Sequence, residues 1–159
     1  ANDFFIGEMD ASAPELKARY EGCLKALKEA GLANAMLRHV DAISTEGDGY
    51  VSTVKLLNEF NGNNKPDAIV CASDLMAIGA IRAITEQGLQ VPEDIAVVGY
   101  DNISSSGFST PPITTVQQNT LLAGELLVSN LLKLIQNEDV DDVLMQPELV
   151  IRKSCGVKE

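Results

Sequence analysis

The chain has 159 residues, 45% of them hydrophobic and 22% charged, which is enough apolar material for one domain with a sizeable core. Its formal net charge is −11, so it repels phosphate backbones and is not expected to grip nucleic acid by itself. It contains no apolar run of the ~18 residues a membrane-spanning helix needs.

The opening ANDFFIGEMD lacks the basic stretch and apolar run of a secretory signal. It passes almost at once into a strand-like FFIG, which points to a piece of a longer protein and leaves an upstream signal open. Cys23, Cys71 and Cys155 are odd in number and far apart. They read as reduced, buried thiols of a cytosolic protein, behaving as small hydrophobes.

Phe4 to Gly7 reads as a short buried strand. Ala13 to Ala30 has the periodicity of an amphipathic helix, with Leu16, Tyr20, Cys23, Leu24 and Leu27 at three- and four-residue spacing. Ser12 is its expected N-cap, with Glu15 three residues on, and Gly31 its stop. Met36 to Val40 is a second strand, and the polar DAISTEGD of Asp41 to Asp48 reads as a loop. A helix is expected from Gly49 to Phe60, turning Val51, Val54, Leu56 and Leu57 toward a core, with Tyr50 packed there too. NGNNKP forms a turn.

Pro66 to Asp101 is the most informative stretch. The apolar run Ala68 to Cys71 stops at Ser73 and Asp74, where a helix to Gln87 starts and Gly88 ends it. VPED turns the chain into a strand from Ile95 to Gly99, followed by Tyr100 and Asp101. Strands alternating with helices in this way predict an α/β fold with a doubly wound, Rossmann-like parallel sheet. In such a sheet the crevice beyond the carboxyl ends of the strands takes the ligand. Beyond Asp101 the pattern breaks: NISSSGFSTPP reads as an irregular crossing segment. A strand at Ile113 to Val116, a helix at Leu121 to Asn137 and a strand-like stretch at Pro147 to Ile151 complete the chain.

Two helices are too apolar for a single contact face. Leu75, Met76, Ile78, Ile81 and Ile84, with the alanines between them, cover most of one circumference. Such a helix is buried on both sides, so a second copy is expected to cover the outer side through Leu75, Ile78 and Ile81. The leucines of Leu121 to Asn137 show the same excess.

The run PDAIVCASDLMAIGAIRAI with GLQVPEDIAVVGYDNI, followed by TPPITTVQQ and PELVIRKS, closely resembles the effector-binding core of LacI/GalR-family transcription regulators. These motifs occur in order across nearly the whole chain, and ARYEGCLKALKEAGL resembles the helix after the first strand of that core's C-terminal subdomain. The resemblance implies a two-lobed core of the type I periplasmic-binding-protein-like kind, of which this chain is mainly the C-terminal lobe. Residues 1–101 would form that lobe and 102–112 a crossover. Residues 113–137 would be a strand and helix returning to an incomplete N-terminal lobe, and 138–159 a final strand and tail.

By resemblance the chain senses a small-molecule effector, a sugar or purine-like metabolite, in a cytoplasmic homodimer. That dimer would reach operator DNA only through a helix-turn-helix head this chain lacks, and no cofactor, metal or membrane partner is implied. Arg19, three residues before Gly22 in an RxxG pattern, matches the family's ligand arginine, a planar fork able to pair with two oxygens. Asp101 matches its ligand aspartate, able to accept from vicinal hydroxyls, against a plain turn role. Ser73 stands where sugar-binding relatives often carry asparagine, and either touches ligand or caps its helix. Asp74 is read as a helix-start residue stabilised by the macrodipole, with ligand contact as the minor reading. Gln118 matches a crossover glutamine that reaches the pocket, against an exposed hinge polar. Asp41-Ala42 departs from the family's aspartate-aromatic pair, which removes a stacking wall.

Catalysis has little support. His39 is the sole histidine and lies in a strand-like segment, and no Walker, GxGxxG or metal-ligand spacing occurs. The competing reading is a periplasmic sugar receptor or sensor module that never touches DNA, which shares the fold.

Overall fold

The computed structural model describes residues 2–6, 14–32, 36–40, 45–60 and 65–157, with 2–6 and 36–40 as backbone alone. Four strands, β1 (Asn2–Ile6), β2 (Met36–Val40), β3 (Ala68–Cys71) and β4 (Ala96–Val98), form a parallel sheet in the order β2-β1-β3-β4. The register pairs Asp3 with Ala68 and Leu37, and Ala68 with Ala96. The connection from β1 to β2 runs one way and the next crosses over to β3, so the topological switch lies between β1 and β3. The carboxyl ends of β3 and β4 therefore border the ligand-binding edge of a doubly wound sheet.

Helix α1 (Pro14–Glu29) opens with proline at its first position, where the missing N–H costs nothing, and carries Glu15 in its first turn and Lys28 in its last. It ends at Gly31 (φ +74°), where Gly31 N–H bonds Lys28 O and Leu32 N–H bonds Leu27 O, a Schellman closure. Helix α3 (Asp74–Glu86) ends the same way at Gly88, so both expected glycine stops are present. The expected N-cap Ser12 lies outside the described residues.

Helix α2 (Glu46–Glu59) starts three residues before the expected Gly49. Thr45 Oγ1 accepts the Asp48 N–H at 3.1 Å, and Glu46 and Asp48 sit in the first turn, where their charge favours the helix dipole. Gly49, where a helix was expected to begin, and Gly79, inside the next one, are packing residues. A Cβ on Gly49 would overlap the Met76 carbonyl, and one on Gly79 would overlap the Glu46 carbonyl. The two backbones approach at close range, and α2 covers the outer side of α3. Part of the side expected to meet a second copy is thus taken within the chain: Ile81 is only 4% exposed, packed in the chain's own core, while Leu75 is 38% exposed and Ile78 half-buried. Val51 also departs from expectation: it faces solvent, and Leu56 takes the core position.

The core gathers Ile69, Met76, Ile84, Ile95, Val97 and Ile113, all fully buried. Each such side chain is worth roughly 1.5–3 kcal/mol of transfer free energy. After β4 the chain forms a five-residue helix, α4 (Ser104–Phe108), inside the segment expected to be irregular. Thr114 then bridges Val98, and β5 (Thr115–Gln117) pairs antiparallel with β6 (Glu148–Val150) in a separate two-stranded sheet. Helix α5 (Thr120–Ile135) joins them and has no buried residue in this chain. The last segment returns to the main sheet through a 3-10 turn, Lys153–Cys155. There the buried Ser154 hydroxyl donates to Val97 O at 2.6 Å and accepts the Thr114 N–H at 2.9 Å.

Candidate functional site

The expected site residues converge on the carboxyl ends of β3 and β4. Arg19 reaches up from α1: its Nη1 donates to Ala72 O at 2.6 Å, and its guanidinium lies 3.6 Å from the centroid of the Tyr100 ring. A planar cation on an aromatic face is attracted by the ring quadrupole, and stacking fixes the plane of the fork. Arg19 thus spans the residues that follow both strands. Tyr100, not singled out from the sequence, is the platform that orients it; the aromatic directly before Asp101 was the available signal.

Asp101 is exposed at the next position, with φ +101°, and Asn102 follows at φ +50°. Such backbone is strained for residues other than glycine, and strain of this kind gathers at functional sites. The turn is pinned by neighbours. Asp101 N–H bonds Val116 O at 2.9 Å, Asn102 N–H bonds Thr115 Oγ1 at 3.2 Å, and Asn102 Nδ2 donates to Gln117 Oε1 at 2.7 Å. Gln118 Nε2 donates to Asp101 Oδ1 at 3.3 Å, so these two expected residues stand side by side at the lip.

Ser73 is nearly buried and its Oγ accepts the Met76 N–H at 3.4 Å, which makes it the N-cap of α3. Asp74, next to it, is fully buried and does more than start a helix. Its backbone N–H bonds Tyr100 O at 2.8 Å and its Oδ2 accepts the Ile103 N–H at 2.9 Å. Oδ1 meets no partner at full hydrogen-bond geometry among the described residues. Burial pushes the Asp74 carboxyl above the ordinary aspartate range and the charge of Asp101 adds to the rise, while Thr115, the Ile103 amide and Ser106 oppose it. Burial also pushes the Cys71 thiol far up, with the charge of Asp74 adding to it, which disfavours its thiolate form.

A second arginine ties the crossover together. Arg152 Nη2 donates to Asn102 Oδ1 at 2.6 Å, and its Nη1 donates to Ile113 O at 2.7 Å and Ser106 Oγ at 3.2 Å. Sequence reasoning used this arginine only as part of PELVIRKS; its partners are dozens of residues away and leave no local signal. Tyr50 is corrected as well: instead of packing in the core, its hydroxyl donates to Glu86 Oε2 at 2.6 Å on an exposed face, beside Arg82. Ala42 lies outside the described residues, as does the side chain of His39. No group of three His, Cys, Asp or Glu side chains that could hold a metal occurs among the described residues, and no described helix is long and apolar enough to cross a membrane.

Residues 4–155 match the family described as the periplasmic binding protein-like domain. The chain is 44% identical over 140 residues to the HTH-type transcriptional repressor PurR of Pasteurella multocida, covering 87% of this chain and 41% of that protein. It is 40% identical over 143 residues to PurR of Haemophilus influenzae, covering 87% of this chain and 42% of that one. Among solved structures, the lac repressor dimer bound to operator and the anti-inducer ONPF superposes with a TM-score of 0.83 at 34% identity, over 97% of this chain and 52% of that chain. The complex of the transcriptional regulator CelR with cellobiose gives 0.82 at 29% identity, over 95% and 46%. The chain therefore spans somewhat under half the length of the curated relatives it matches. With its parallel sheet and returning β5–β6 segment, the chain belongs to the periplasmic binding protein-like domain family and corresponds to the C-terminal part of the effector-binding core of LacI/GalR-type regulators.

Proposed function

We propose that this chain is the ligand-sensing portion of a cytoplasmic LacI/GalR-type transcription regulator and performs no catalysis. Its ligand is a small polar metabolite, a sugar or a purine-like compound, held at the carboxyl ends of β3 and β4. The observation that carries the reading is the Arg19 fork, stacked on Tyr100 and bonded to Ala72 O, beside the Asp101–Gln118 pair. A cation with several donors next to a carboxylate suits a ligand rich in vicinal hydroxyls or ring heteroatoms. Arg19, Asp101 and Gln118 take the polar contacts, and the Ser73 hydroxyl, already used as a cap, contributes at most its proton. Sensing works because a ligand with differential affinity for two arrangements of the lobes shifts their populations.

Residues 113–137 are read as the part returning to the other lobe, and the crossover of 102–112 as the hinge between the lobes. Operator binding belongs to a helix-turn-helix head in the parent protein. The parent works as a homodimer, with Leu75 and Ile78 on the face of α3 that α2 leaves partly open. A thermal-shift screen of monosaccharides, disaccharides and purine bases against the parent protein tests the reading, since a ligand selective for the native state raises the melting temperature. Calorimetry with the best compound should show binding in the parent and none in Asp101→Ala. Unchanged affinity in that variant refutes the assignment.

A further inference from the structure

The residues that hold Asp101 in place lead back to one buried group. Between Tyr100 and Ile103 the chain takes two consecutive left-handed, non-glycine conformations, at Asp101 (φ +101°) and Asn102 (φ +50°). Backbone of this kind persists only where surrounding contacts over-determine it. Asp74 brackets it from both sides: its N–H takes the Tyr100 carbonyl at 2.8 Å, and its Oδ2 takes the Ile103 N–H at 2.9 Å. The carboxylate is wholly buried, with Oδ1 lacking a full partner among the described residues, although a helix-start aspartate needs neither condition. Space is reserved for it as well, because a Cβ on Gly99 would overlap Oδ1.

We propose that Asp74 is a positioning residue of the ligand site: it clamps the strained turn of Tyr100 to Ile103 and so fixes the direction in which Asp101 presents its carboxylate. This rests on the reading of Asp101 as a ligand contact. The clamp also ties the start of α3 to the start of α4, so a ligand pulling on Asp101 acts on the crossover through the same bonds. Arg152 supports the far side of the turn through Asn102, and Thr115 supports its middle.

Amide hydrogen exchange at pH 7, read residue by residue on this chain, tests the clamp without any ligand. In Asp74→Ala the Asp101 and Ile103 amides should lose protection at least tenfold while the Val97 amide in β4 keeps its own. Asp74→Asn, which retains an oxygen to accept the Ile103 N–H, should keep the protection near its original level. Unchanged protection in Asp74→Ala overturns the proposal, and so does an equal loss in both variants. If Asp74→Ala does not fold, Gly99→Ala decides, because it displaces the carboxylate without removing it: local loss at Asp101 and Ile103 supports the clamp, and intact protection overturns it. Binding is measured separately on Asp101→Ala, so failure of the ligand assignment and failure of the clamp give different results.

Discussion

The guanidinium of Arg19 rests 3.6 Å from the centroid of Tyr100 while the same side chain donates to Ala72 O. One residue of α1 thereby fixes its plane against the residue two past Val98 and its reach against the residue just past β3. Because Tyr100 precedes Asp101 directly, the ring that holds the cation and the carboxylate beside it come from consecutive residues.

Arg19→Lys should therefore be far from conservative. Lysine keeps the charge but loses the planar fork and the stacked surface. Affinity for the compound found in the thermal-shift screen should fall at least tenfold in the parent protein, about 1.4 kcal/mol, with the melting temperature of the ligand-free protein little changed. Calorimetry checks this, and equal affinities would mean that Arg19 touches no ligand.

The close contact of α2 and α3 gives a stability prediction. Gly79→Ala places a methyl against the Glu46 carbonyl, a backbone atom with little freedom to retreat. Overpacking of this kind costs about 1–3 kcal/mol. Gly22→Ala, in α1 with open space around the new methyl, should instead be neutral or stabilising by up to about 1 kcal/mol, as alanine favours helix. Urea unfolding followed by circular dichroism distinguishes them, and similar midpoints for the two variants contradict the packing role.

That contrast also marks where the sequence was legible. Gly31 and Gly88 do what isolated glycines after an apolar period announce, ending helices in left-handed turns. Gly49 and Gly79 serve a contact between helices distant in sequence, which no local pattern announces, and the polar run up to Asp48 resembled a loop although the helix already starts at Glu46. In the same way SSSGF carries no apolar period. Its short helix is held by the Ser106 hydroxyl on Ile103 O and by Arg152 from far down the chain. Within the site, Arg19, Asp101 and Gln118 stood out as charged or polar residues in recognisable motifs. Tyr100, Asn102 and Arg152 matter through partners that only the fold brings close.

Asp74 should leave a signature in the pH dependence of stability. Burial raises its folded-state pKa above the ordinary 3.8. Between the two values the folded chain holds the proton more tightly than the unfolded chain, so this group stabilises below the ordinary value and the contribution is lost as pH rises through the raised one. Asp74→Asn removes the ionisation. The difference in unfolding free energy, variant minus original, should shift in favour of the variant as pH increases across that window, then level off. Urea titrations at a series of pH values would show it; a difference independent of pH means that Asp74 does not carry the buried charge.

The exposed face of α5 supports the last prediction. Leu121, Leu127, Val128, Leu131, Leu134 and Ile135 all face solvent in this chain, on a helix with no buried residue. A contiguous apolar surface of this kind is rare on a stable monomer, because each exposed leucine forgoes the transfer free energy it gains on burial. The chain on its own should therefore self-associate through α5 at concentrations of tens of micromolar. Leu127→Lys with Leu131→Lys places two charges in the middle of that face, where like-charged partners would have to be desolvated together. Sedimentation velocity should show the double variant shifted toward monomer with its circular dichroism unchanged, since neither side chain supports the core. A chain that stays monomeric at high concentration, or a double variant that associates as strongly as the original, would show that α5 is not the sticky surface. Association surviving the substitutions would then point to Leu75 and Ile78 on α3, the other partly open apolar face.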